Sequence, residues 1–68
     1  MSGKQFIRAT RQWAKANGQP FALESNRAKG GHQIVRVGRA WTTVKSGEIG
    51  PGLLAKMLAD LNIPKGDL

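Results

Sequence analysis

His32 is the only imidazole in the chain. It follows Gly30-Gly31 and heads a stretch that also holds Lys29, Arg36, Arg39, Trp41 and Lys45. Imidazole titrates near neutral pH, so it can take up a proton without tuning. Lysine and arginine can hold a phosphate, and an indole offers a plane on which a base can stack. These residue types fit cleavage of an RNA strand. In that reaction the ribose 2′-hydroxyl attacks the adjacent phosphate. It needs a base for the proton, a donor for the leaving oxygen, and positive charge on the phosphate. His32 is the candidate general base. Lys29, Arg36 and Lys45 are the candidate phosphate ligands, with Trp41 as the stacking surface. With a single histidine, any acid within one chain must be lysine, water or a group of the RNA.

These side chains share a surface only if the stretch is a hairpin. His32 to Val37 and Ala40 to Lys45 are rich in Val, Ile, Thr and Trp, which favour strands. Gly38-Arg39 between them suits a two-residue loop whose first residue takes positive φ. That loop sets Val37 opposite Ala40, Arg36 opposite Trp41, Ile34 opposite Thr43 and His32 opposite Lys45. Side chains alternate across a sheet. One face then holds Gln33, Val35, Val37, Ala40, Thr42 and Val44. The other holds His32, Ile34, Arg36, Trp41, Thr43 and Lys45.

The flanking segments must cover the apolar face. Gly3 to Asn17 reads as a helix with Ser2 as N-cap and Asn17-Gly18 as its stop. Phe6, Ala9, Thr10, Trp13, Ala14 and Asn17 fall on one side, with Ile7 at the edge. Lys4, Arg8, Arg11 and Lys15 form a basic stripe opposite, either a solvated face or a rail for phosphates. Phe21 to Ser25 reads as a first strand with Phe21 and Leu23 inward and Ala22 and Glu24 on the open face. Asn26 to Gly31 reads as a loop, and Ser46 to Gly50 as a connector. Pro51 opens a second helix to about Leu61, with Leu54, Met57, Leu58 and Leu61 as its buried stripe and Leu53 beside it. The expected fold is α+β in the order α-β-β-β-α. Two helices cover one face of a three-stranded antiparallel sheet and the other face is open.

The chain has 68 residues and reads as a single domain over 1–68, with 1–2 and 64–68 as frayed ends. A domain this small buries only about 60% of its unfolded surface, so its large apolar residues belong in the core. There is no cysteine, and four scattered carboxylates with one histidine make no metal-ligand set. No metal or other cofactor is expected. No segment reads as a signal peptide or membrane span. The net charge of +7 favours a polyanionic partner, with nucleic acid the commonest. No dinucleotide or Walker-type motif is present.

Three segments resemble the HicA (YcfA-like) toxins of bacterial type II toxin–antitoxin systems, over about residues 3–63. Lys29-Gly-Gly-His-Gln-Ile-Val-Arg36 resembles the family's Lys-Gly-Ser-His stretch, with Gly31 where serine is usual. Gly38-Arg-Ala-Trp-Thr-Thr-Val44 resembles its second hairpin strand, and Gly50-Pro-Gly-Leu-Leu-Ala-Lys-Met-Leu58 resembles its second helix start. The resemblance implies a double-stranded-RNA-binding-domain-like fold. It implies a metal-independent mRNA interferase of the bacterial cytoplasm that arrests growth, with His32 at the catalytic position. It also implies a HicB-type antitoxin that masks that histidine. On this reading Lys4, Arg8, Arg11 and Lys15 extend the RNA track. Two other readings stay open: a non-catalytic RNA-binding module of the same fold, and a regulatory protein acting only with its antitoxin.

Overall fold

The computed structural model describes residues 1–26 and 32–68. Helix α1 spans Gly3–Ala16 and starts at a capping box. The Ser2 hydroxyl accepts the Gln5 backbone N–H at 3.2 Å, and the Gln5 side-chain oxygen accepts the Ser2 N–H at 2.8 Å. Gly18, at φ 65°, turns the chain out of the helix. Strands β1 (Phe21–Asn26), β2 (His32–Val37) and β3 (Ala40–Lys45) follow, then helix α2 (Pro51–Asp60) and a 3₁₀ turn over Lys65–Asp67. The order is α-β-β-β-α, and the sheet is antiparallel in the order β1-β2-β3. Among the described residues no helix is long and apolar enough to cross a membrane.

The hairpin has the expected register: Val37 pairs with Ala40, Arg36 with Trp41, Ile34 with Thr43 and His32 with Lys45. Gly38 takes φ 62°, as the first position of such a loop requires. Val35, Val37, Thr42 and Val44 are buried on one face, while Arg36, Trp41, Thr43 and Lys45 are exposed on the other. β1 runs one residue further than expected, because Asn26 pairs with His32. The expected loop over 26–31 otherwise lies outside the described residues.

Phe6, Ala14, Val35, Val44, Met57, Leu58 and Leu61 form the centre of the core. Thr10 is buried among them, its hydroxyl donating to the Phe6 carbonyl at 2.9 Å, so no polar group is stranded there. Two further core residues come from outside the regular elements. Ile49 lies in the connector, and its N–H donates to the Met1 carbonyl at 2.7 Å. Ile63 follows Asn62, whose φ of 59° ends α2 and lets the Ile63 N–H reach the Leu58 carbonyl at 2.9 Å.

Four expectations are corrected here. Leu23 has the inward register but remains 38% exposed, because it lines an open groove between β1 and α1. Leu53 is 49% exposed on the first turn of α2. Residues 1–2, expected to fray, are tied down: the Met1 ammonium pairs with Glu48, and Ser2 bridges to Glu48. Residues 64–68, also expected to fray, form the 3₁₀ turn, where the Trp13 indole N–H donates to Asp67 Oδ2 at 2.9 Å.

The start of α1 lies directly against the end of β3. The Gly3 N–H donates to the Gly47 carbonyl at 3.0 Å, and a Cβ at Gly3 would stand 2.8 Å from the Lys45 carbonyl oxygen. That contact is backbone and cannot rotate away. Gly3→Ala is therefore expected to cost about 1–3 kcal/mol through overpacking, seen as a lower urea midpoint at unchanged slope. An unchanged midpoint would mean that the junction opens freely.

Candidate active site

The open face of the sheet is built from alternate residues of β2 and β3. The turn at Gly38 sets the register, and the register sets His32 across from Lys45. The two residues form the last pair of the β2–β3 ladder, where directly opposed Cβ atoms are about 4.5–5.5 Å apart. A lysine is thus held beside an imidazole by backbone pairing rather than by a flexible loop. His32 is partly buried and Lys45 is exposed.

His32 also lines a small cavity of about 210 Å³ with Thr43, Lys45, Glu48, Leu53 and Met57. The imidazole and the Lys45 ammonium stand on one side of this cavity, with apolar side chains of α2 on the other. Glu48 is engaged by the Met1 ammonium. The exposure of Leu53 acquires a local meaning here, because that apolar surface borders the histidine.

The other candidate residues are distributed unevenly. Arg36 shares the open face with His32 but stands four positions along β2, about 13 Å at strand rise. Its Nε donates to Glu24 Oε2 at 2.7 Å in an ion pair between half-exposed side chains. Arg36 therefore shares a face with His32 without flanking it, and Glu24 is paired with Arg36. Trp41 pairs with Arg36 across the ladder and is 53% exposed, an accessible aromatic plane. Lys29 lies outside the described residues.

The basic stripe of α1 does not join this face. Lys4, Arg8, Arg11 and Lys15 are all exposed. The first three line a groove with Ile7, Leu23 and Gln33, on the side of the sheet that α1 covers. Arg11 lies over the Phe21 ring, 5.3 Å from its centroid. A track from this stripe to His32 would have to round the β1 edge of the sheet. The helical period shows that the four cations align, but it cannot show which face of the sheet they overlook.

Residues not assigned from sequence border the site on its other side. A groove of about 590 Å³ runs between the outer edge of β3 and α2, lined by Arg39, Trp41, Thr43, Lys56, Asp60 and Asn62. The Thr42 hydroxyl donates to Asp60 Oδ2 at 3.2 Å and ties the strand to the helix beneath it. Lys56 and Asp60 are four residues apart, so both project from one side of α2. That spacing was legible, but its position over β3 depends on tertiary packing. Comparison with models of known protein families, with curated proteins and with solved structures returns no match to this chain.

Proposed function

We propose that the protein is a small endoribonuclease of the HicA toxin type, cutting mRNA by attack of the ribose 2′-hydroxyl on the neighbouring phosphate. The observation that carries this reading is the pairing of His32 with Lys45 at the end of the β2–β3 ladder, on the open face of a domain with net charge +7. His32 takes the 2′-hydroxyl proton as the oxygen attacks phosphorus. Lys45 holds the non-bridging oxygens as their charge grows. The bond to the 5′-oxygen breaks, leaving a 2′,3′-cyclic phosphate on one fragment. The 5′-oxygen of the other takes a proton from water, from a lysine or from the RNA itself.

The resemblance in three segments adds the biological setting: a cytoplasmic bacterial toxin, a double-stranded-RNA-binding-domain-like scaffold, and a HicB-type antitoxin. An acidic antitoxin surface suits the charge of this chain and would arrest the enzyme by covering His32. Trp41 stacks a base on the same face. Arg36 needs to exchange Glu24 for a phosphate before it can contribute.

The test is to incubate the purified chain with end-labelled single-stranded mRNA and a chelator. Fragments ending in 2′,3′-cyclic phosphate are expected. Intact RNA that is nonetheless shifted in a gel would replace the enzyme with a binding module of the same fold. Intact and unshifted RNA would remove both.

A further inference from the structure

Thr43 lines both the cavity at His32 and the larger groove between β3 and α2, so the two meet at this residue in a depression along β3. The depression follows the outer edge of β3, which no strand pairs among the described residues. From Lys45 to Ala40, next to Arg39 in the turn, the strand advances five positions, about 17 Å. One end has the imidazole and Lys45. Four positions from Lys45, about 13 Å away, stands the exposed plane of Trp41. Arg39 in the adjoining turn and Lys56 of α2 are both exposed and line the larger groove. Asp60 is the acid in the larger groove, and its carboxylate accepts the Thr42 hydroxyl at 3.2 Å.

We infer that this depression is the binding path for single-stranded RNA flanking the cleaved bond, with Trp41 stacking a base and Arg39 and Lys56 holding phosphates beside it. The inference rests on the RNA reading above and extends it with two residues and a direction. Alternating cation, aromatic plane and cation along an open groove is the pattern of sequence-tolerant single-strand binding. A rigid duplex does not suit it, because Trp41 needs an unstacked base. The α1 stripe lacks both the continuity with His32 and an exposed aromatic ring.

The test uses full-length protein in the His32→Ala background, so that cleavage does not deplete the probe. Binding of a single-stranded oligonucleotide is followed by filter retention over a salt series. Lys56→Ala and Arg39→Ala are each expected to lower the log–log salt slope by about 0.7, the value for one phosphate contact on a single strand. Lys65→Ala removes the same charge outside the groove and should leave the slope unchanged. Trp41→Ala is expected to weaken binding by about 5- to 150-fold, the equivalent of one lost stack. Far-UV circular dichroism of each variant verifies its fold.

If Lys56→Ala and Lys65→Ala change the slope equally, the cations act only through net charge and the inference fails. If RNA affinity is untouched by Lys56→Ala, Arg39→Ala and Trp41→Ala, it also fails, and the free edge of β3 is left for a protein strand. These outcomes are independent of the nuclease reading. A chain that never cuts can still lose slope at Lys56, and a chain that cuts normally can show no dependence on the groove.

Discussion

His32→Ala is expected to lower the rate of RNA cleavage by about 10²–10⁴-fold, the range for loss of a positioned general base. The same change should move stability by less than about 1 kcal/mol, since His32 lies outside the buried core. Both halves are needed. A fall in activity with an intact unfolding transition separates chemistry from damage to the sheet. Lys45→Ala should also slow cleavage, but by removing charge stabilisation rather than the proton acceptor, so His32→Ala should be the more severe of the two. The measurement is single-turnover cleavage of labelled RNA alongside urea denaturation of each variant. Equal cleavage by wild type and His32→Ala would assign the activity to another residue or to a contaminant.

Phe6→Ala is expected to leave the chain largely unfolded at 37 °C. Phe6 is fully buried and is among the largest side chains in the core. Truncation of a buried phenylalanine costs about 3–5 kcal/mol. Domains carry about 0.05–0.15 kcal/mol of stability per residue, so a chain of 68 residues has on the order of 3–10 kcal/mol in total. The single change therefore removes a large share of it. A domain of this size loses about 4–8 °C of Tm per kcal/mol, so the melting curve should shift by tens of degrees or vanish. Leu53→Ala is the matched contrast: half exposed on α2, it should change Tm little. If Phe6→Ala melts like wild type, the packing of α1 on the sheet is not as described.

Much of this arrangement is legible in the sequence. The reason lies in one dipeptide. Gly38-Arg39 admits few loops, and a two-residue loop leaves one register, which in turn decides which residues share a face with His32. Periodicity in the two helices likewise identified Phe6, Ala14, Met57, Leu58 and Leu61 as core. What escaped were residues whose roles depend on distant chain segments. Ile49 and Ile63 are isolated apolar residues in irregular backbone, where no period marks them. Asp67 meets Trp13 across an interval of 54 residues, which no local pattern encodes. Arg36 was grouped with His32 because both lie on one face. Strand rise separates them, and Glu24 captures the guanidinium from the neighbouring strand. The β3–α2 groove escaped for the same reason: its two walls are each ordinary until packed together.

The two tryptophans end in opposite environments, and that makes the chain its own optical instrument. Trp13 is partly buried against the core, with its N–H held by Asp67, while Trp41 stands open on the sheet. The emission of Trp13 should shift to the red as the domain unfolds. Trp41 should already emit as a solvated indole, should be quenched by iodide, and should lose intensity when a base stacks on it. With Trp41→Phe only the folding signal remains. With Trp13→Phe the ligand signal remains, so stability and occupancy can be followed separately without attaching a dye.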